Sequence, residues 1–274
     1  MTTATQAVKT RIPDLDSGWS RRAALTLISR YGTIIGLLAM VVFFAINAPG
    51  TFLSRANLLN ILSQASLTAI ISAGLTFTLV VGEFDLSIGN VASFIGLVVA
   101  GLMAKEHFPI PVAVPLALLV GVAIGLVNGF LVTKVRINAV IATIGVGTML
   151  TGIGFSYSAF PIAIGIPRAF TEISLGRALF GVPNPVFIMA ALLLVMWIIL
   201  NKTDLGQRMQ AVGSNIEAAR LSGIRVDRTK MFAFATAGFC AALTGVLLTS
   251  LLGSGTLAAA ERWGVAIAVA LSSR

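Results

Sequence analysis

At 274 residues the chain is long enough for one or two soluble domains. Yet 57% of it is hydrophobic, only 11% is charged, and the mean hydropathy is +0.97. Soluble domains carry about a quarter charged residues, so that class is excluded, and so is disorder, which would leave this apolar surface in water. No fixed repeat period is visible, and the single cysteine, Cys240, rules out a disulfide scaffold and leaves the redox compartment undetermined. The net charge of +9 comes without a basic run interleaved with aromatics, so nucleic acid is not an expected partner. Positive charge in such a chain records topology instead, and a large integral membrane protein remains.

Residues 1–30 are polar and carry Lys9, Arg11, Arg21, Arg22 and Arg30, which fits a cytoplasmic tail. A secretory signal would place its apolar run earlier and end it at a small-residue cleavage site. The run at about 31–48 lacks a clear site of that kind and is read as a retained helix. Apolar stretches recur at about 57–82, 86–104, 111–133, 139–157, 185–200 and 231–252. A span needs about 20 residues to cross roughly 30 Å of hydrocarbon, and lipid offers no partners to backbone amides, so each must be helical. The 185–200 run is at the short end, with Trp197 suited to an interface. The expectation is an all-α polytopic membrane protein with about seven transmembrane helices. The run Gly264–Leu271 is too short for an eighth.

Lysine and arginine give the orientation. With the N-terminus inside, the cytoplasmic segments hold five of them in 1–30, two in 134–138 and six in 201–230, against five in all the outside loops together. That bias predicts a cytoplasmic N-terminus and a cytoplasmic 201–230 loop. Small residues mark helix contacts: Gly121, Gly125 and Gly129 fall four apart, as do Gly32 and Gly36, a spacing that lets helix backbones approach closely.

Enzymatic chemistry is hard to place. There is no P-loop, no Gly-Lys pair at all, and no G-x-S-x-G elbow, and no catalytic residue is expected. The lone His107 beside Glu106 does not make a zinc motif and reads as a solvated loop residue, so no metal site is expected; Cys240 reads as packing.

Two features stand out. Gly82-Glu83-Phe84-Asp85-Leu86-Ser87-Ile88-Gly89-Asn90 interrupts the apolar stretch between the second and third spans. Carboxylates near the bilayer face a cavity or a partner, so Asp85 has two readings: a cap or tight turn ahead of the next helix, or a direct substrate or gating role. Glu83 reads as solvated. The second feature lies in Asn201–Lys230. There Ser214-Asn215-Ile216-Glu217 fits a capping box, with Ser214 at the N-cap and Glu217 reaching back. Gly223 can end the short helix in a left-handed conformation. The alternatives are a surface helix on the headgroups or a docking element for a soluble partner.

These residues carry a resemblance. Glu83–Asn90 is similar to G-[GI]-x-D-L-S-[VI]-G-S, departing at Phe84 and Asn90. Gly125-Leu126-Val127-Asn128-Gly129 is similar to a G-x-x-N-G helix. Val135–Gly145, ending Ile141-Ala142-Thr143-Ile144-Gly145, resembles an I-A-T-L-G stretch. Gly206–Ile224, with Ala211-Val212-Gly213, Asn215, Glu217-Ala218-Ala219 and Ser222-Gly223-Ile224, resembles an E-A-A-x-x-x-G loop. In this order, over about 30–255, they resemble the permease subunits of bacterial ABC importers of the ribose/monosaccharide type.

The resemblance implies a multi-pass protein of the bacterial cytoplasmic (inner) membrane that translocates a small solute, a pentose or hexose. Residues 31–252 would form the permease domain, and 201–230 its cytoplasmic coupling loop. Gly213, Asn215, Glu217, Ala218, Ala219 and Gly223 would face the groove of an ATP-binding subunit. Asp85, Ser87, Gly89, Asn90, Asn128 and Thr143 become translocation-path candidates. The implied partners are that ATPase, which alone would bind ATP and magnesium, an extracytoplasmic solute-binding protein, and a second permease subunit in a homodimer or heterodimer, all in membrane lipid. ATP binding would close the ATPase dimer and drive alternating access as a rigid-body change. Family members continue past the region near 255 with a glycine-rich L-G-G segment and further helices. Here 253–274 departs from that pattern and reads as truncated or frameshifted, with 264–271 as the start of the missing part. Two alternatives stay open. An ion-coupled secondary transporter would use Asp85 or Glu83 as its protonated site, although it has no use for a capped cytoplasmic helix. A truncated, non-transporting permease fragment would share the fold.

Overall fold

The computed structural model describes residues 16–257, with side chains from Tyr31 onward. The expectations for the tail before Asp16 and for the segment beyond Leu257, including the 264–271 run, lie outside the described residues. The described chain falls into two compact units that part between Leu58 and Leu59.

In the first unit α1 runs Asp16–Asn47, so the helix starts well ahead of the apolar stretch, and α2 is the single turn Pro49–Phe52. Phe44 stacks on Phe52 at 5.7 Å between ring centroids. The side chains of 31–47 are mostly exposed although nearly all are apolar. A helix that is apolar all round has the surface of one that lies in lipid or against other helices. Ser54 Oγ accepts from the Asn57 amide at 3.2 Å, and Asn57 Nδ2 donates to the Phe52 carbonyl at 2.9 Å. These bonds fix the start of α3, Arg55–Val80, which runs on into the second unit.

The second unit continues with α4 Ile88–Ala104, α5 Ile110–Thr133, α6 Ala139–Tyr157, α7 Arg168–Leu175, α8 Asn184–Lys202, α9 Asp204–Ser214, α10 Ile216–Leu221 and α11 Val226–Leu252. Helices dominate the described residues, and no strand forms beyond two isolated bridges, Ile162–Gly255 and Arg177–Pro183. Among the described residues, five helices are long and apolar enough to cross a membrane: α3, α5, α6, α8 and α11. Two apolar segments are shorter, Tyr31–Asn47 within α1 and all of α4. The protein is an all-α polytopic membrane protein.

The helix ends are written locally. Pro109 and Pro183 stand in extended conformation just before α5 and α8, where a missing N–H costs nothing. Asn138 caps α6, its side chain accepting from Val140 and Ile141. Gly253, at φ +63, ends α11 in the left-handed region that a Cβ disfavours.

Helix α11 is the centre, packing against α4, α5, α7, α9 and α10. Close approach depends on glycine. A Cβ on Gly125 would meet the Phe234 carbonyl, one on Gly121 would meet Ala242, and one on Gly245 would meet the Ala92 carbonyl. The four-residue glycine spacing of α5 is therefore helix packing, as expected; around Gly36 nothing lies within 4 Å. Cys240 is fully buried opposite Gly74, which places α3 on the same central helix.

The region 158–184 is more structured than its glycine- and proline-spaced sequence suggests. Helix α7 buries Phe170 and Ser174. Ser174 Oγ donates to the Leu247 carbonyl at 2.8 Å, the Ser174 amide donates to Ser250 Oγ at 3.0 Å, and Ser250 Oγ donates to the Phe170 carbonyl at 2.7 Å. Two serines thus dock a short helix on α11 with every polar atom engaged.

Candidate functional site: the interrupted segment and the paired short helices

Helix α3 stops because Gly82 turns left-handed, at φ +78, and the Glu83 amide reaches back to the Thr78 carbonyl at 2.9 Å. The chain then passes through an irregular segment with a bend at Leu86 before α4, and Asp85 lies in this break, 2% exposed. One of its oxygens, Oδ1, accepts from the Ser87 amide at 2.8 Å and from Ser87 Oγ at 2.6 Å. Ser87 Oγ in turn accepts from Asn128 Nδ2 on α5 at 2.8 Å. The neighbouring Leu86 amide donates to Thr143 Oγ1 on α6 at 3.1 Å. Asp85, Ser87, Asn128 and Thr143 are all buried, and Asn128 Oδ1 has no partner among the described residues.

Four of the six path candidates thus converge in one buried network that ties the break to α5 and α6. Asp85 turns the chain and holds the residue at the start of α4. Its carboxylate accepts an amide one residue before the helix, not from within the first turn, so it is a turn acceptor more than an N-cap. Gly89 is buried in the first turn of α4. Asn90 points elsewhere: its Nδ2 donates to Thr151 Oγ1 at 3.0 Å and to the Gly147 carbonyl at 3.3 Å.

Asn90 also lines a cavity of about 280 Å³ with Ser93, Leu97, Thr151, Phe155 and Phe160. That volume sits at the low end of small-molecule sites. Polar groups from α4 and α6 meet aromatic rings there, a mixture suited to a small polar solute. Asp85 does not reach it. Ser93, Thr151 and Phe155 were legible in part, since Ser93 stands three residues after Asn90 and Phe155 four after Thr151, each pair sharing a helix face. Nothing in the sequence pairs those two faces.

On the other side of the break lie α9 and α10. Helix α9 buries Gly206, Met209 and Val212, one face at three-residue spacing. Gly213 lies so close to the end of α3 that a Cβ there would collide with the Val80 carbonyl, and Gly82 is its next neighbour. Glu83 forms an ion pair with Lys230 in the first turns of α11, their side chains 17% and 12% exposed. The expectation of a solvated Glu83 is therefore corrected. The acid is drawn in because Lys230, 147 residues away in sequence, stands opposite it.

The capping box needs a second correction. Ser214 belongs to the last turn of α9, its hydroxyl bonded to the Gln210 carbonyl. The N-cap of α10 is Asn215, whose side chain accepts from the Ala218 amide at 3.0 Å. Glu217 pairs with Arg220 instead of reaching back. The shift of one residue follows from α9: an eleven-residue helix, capped by Thr203 at Gly206, takes up Ser214. Gly223 behaves as expected, at φ +79, with its amide on the Arg220 carbonyl and the Ile224 amide on Ala219. Ala219 is the one residue of α10 that packs inward, while Ala218 is exposed.

Comparison with known proteins fits this arrangement. The family described as "Branched-chain amino acid transport system / permease component" matches residues 57–272. The chain is 38% identical to the ribose import permease protein RbsC of Haemophilus influenzae, over 81% of this chain and 69% of that protein. It is 33% identical to RbsC of Bacillus subtilis, over 86% and 73%. It is 28% identical to the xylose transport system permease protein XylH of Escherichia coli, over 91% and 78%. No solved structure gives a significant match. With a buried polar break between two apolar helices, a cavity of mixed polar and aromatic lining formed from α4 and α6, and a capped pair of short helices against the break, the chain belongs to this permease family and is a multi-pass membrane subunit of the ABC importer type.

Proposed function

We propose that the chain is the membrane-spanning subunit of a monosaccharide importer driven by a separate ATP-hydrolysing subunit. The observation that carries the reading is the seating of α9 on the break: Gly213 against the Val80 carbonyl, and Glu83 paired with Lys230. Helix α10 stands beyond α9, capped at both ends by its own sequence, as an element that presents itself to another molecule. A movement of α9–α10 has a direct mechanical route to the Asp85 loop and, through Ser87, Asn128 and Thr143, to α5 and α6. The cavity at Asn90, Ser93 and Thr151 lies on α4, the helix that starts in this loop.

In this reading the N-terminus and the 201–230 region are cytoplasmic, as the arginine and lysine bias favours. A partner ATPase dimer closes on two copies of α10, one from this chain and one from a second permease subunit. The closure is transmitted as a rigid-body switch between two packings, and a soluble binding protein delivers the solute on the far side. The relatives named for ribose and xylose support a pentose as cargo.

The test is co-expression of the chain with candidate ATP-binding subunits of the same cell, followed by purification. An ATPase should be recovered, and it should be lost when residues 214–223 are replaced by a Gly/Ser linker. Vesicles holding the complex should take up ribose or xylose with ATP and not with a proton gradient. Uptake driven by the gradient alone, with no ATPase bound, would overturn the reading in favour of an ion-coupled carrier.

A further inference from the structure

The face that carries α10 has a chemical character beyond its shape. Two concavities flank the turn between α10 and α11. One, of about 450 Å³, is lined by Arg208, Arg225, Arg228, Ser222 and Thr229. The other, of about 440 Å³, is lined by Arg136, Arg220, Arg225 and Arg228 with Lys134 and Asp227. Two of the cations on this face are already answered: Lys134 pairs with Asp227 at 2.7 Å, and Arg220 with Glu217 at 3.3 Å. Arg136, Arg208, Arg225 and Arg228 form no ion pair among the described residues, and all four are exposed. Leu221 stands out at the end of α10, next to Arg220 and Ser222 of the two linings, 89% exposed.

We propose that this surface is built for a groove lined by carboxylates on the ATP-hydrolysing partner. Leu221 would enter an apolar floor, and glutamate or aspartate side chains on both walls would enter the two arginine-lined concavities. This rests on α10 being the partner-facing element. Arginine fits the part because its planar fork binds a carboxylate through two parallel hydrogen bonds, which gives register as well as attraction. A bilayer surface fits less well. The apolar residues in the lining of the concavities, Leu205, Ile224 and Val226, are half-buried or buried and form no open wall for acyl chains, and the acids Glu217 and Asp227 lie among the same cations. The distribution also explains why Lys134 and Arg220 are neutralised internally while the other four cations are not. The paired cations hold the concavities in shape, and the unpaired ones are left for the partner.

The experiment uses the full chain in detergent with the ATP-binding subunit it recovers. Binding is measured as sodium chloride rises from about 50 to about 500 mM, a range over which exposed ion pairs are progressively screened. For the unaltered chain the Kd should rise by about tenfold or more. The variant Arg208→Gln/Arg225→Gln/Arg228→Gln should bind about tenfold more weakly at low salt and lose most of the salt dependence. Because these side chains are exposed and outside every ion pair named above, the variant should stay monodisperse with unchanged Tm. Arg225→Glu paired with an acid-to-lysine change on the partner groove should recover binding. Equal affinity and equal salt dependence of the triple variant would overturn the proposal while leaving α10 as the docking helix. Loss of co-purified phosphatidylglycerol from the triple variant, with ATPase binding unchanged, would also overturn it and assign the arginines to lipid. If the unaltered chain recovers no ATP-binding subunit, both the proposal and the coupling reading fall.

Discussion

Asp85 shows how little of a residue's role its type reveals. An acid between two apolar helices suggests either a cap or tight turn, or a transport group, and the structure gives it the turn without removing the transport role. One carboxylate oxygen holds Ser87 through two bonds, and Ser87 is held again by Asn128. Asparagine at this position keeps an acceptor oxygen of the same size, so the turn should survive. What is lost is the charge, and charge-assisted bonds are roughly twice as strong as neutral ones. Asp85→Asn is therefore expected to leave membrane insertion and ATPase recovery intact while lowering uptake by about tenfold or more. Uptake in sealed vesicles, measured beside ATPase recovery, checks both parts. Normal uptake would make Asp85 a turn residue and nothing else.

At the scale of elements, the helices were legible because lipid demands an apolar run of a given length, and such a run is written in consecutive residues. The α5 glycines were legible too, because four-residue spacing is a one-helix property. Their partner was not: the Phe234 carbonyl on α11 lies more than a hundred residues away. Gly125→Leu should drive a side chain into that carbonyl and separate α5 from α11, with loss of monodisperse protein in gel filtration. Gly145→Ala is the matched control. Nothing lies within 4 Å of its Cβ position, so removing a helical glycine should be neutral or stabilising by about 0.5–1 kcal/mol in a thermal melt. If both variants behave alike, close packing at Gly125 is not what holds the pair. Helix α7 was missed because its sequence is short, only half apolar, and bounded by Pro167 and Gly176. Only the serine bonds to Leu247, Ser250 and Phe170 make it a packed helix. In α9–α10 the position of the cap was missed by one residue, because Ser214 and Asn215 can both cap and the choice belongs to where α9 ends.

For the molecule as a whole, the Glu83–Lys230 pair is, among the described residues, the one charged contact that joins the break to the start of the central helix. Removing one partner leaves a mostly buried charge unpaired. Fully buried pairs lose about 3–5 kcal/mol in this way; here both side chains keep some contact with water, so Glu83→Gln or Lys230→Met should cost up to about 3 kcal/mol. The exchange Glu83→Lys/Lys230→Glu should recover part of that loss in a thermal melt. If the proposed coupling route is right, each single variant should also separate ATP hydrolysis from uptake, the former continuing as the latter falls. Single variants that match the unaltered chain in Tm and in the ratio of hydrolysis to uptake would show the pair to be incidental.

The sequence by itself determined the membrane, the helical class, the approximate positions of the apolar helices, the glycine face of α5 that approaches its neighbour closely, and the left-handed stop at Gly223. All of these depend on residues within a few turns of each other or on total apolar length. Only the tertiary structure decided that Glu83 is paired, that Asp85, Ser87, Asn128 and Thr143 form one network, that Asn90 faces a cavity instead, and that Gly213 abuts the end of α3. Each of those rests on residues 41 to more than 140 positions apart meeting at the distance of a hydrogen bond or a van der Waals contact. Periodicity along one chain carries no information about which distant face it meets; packing does.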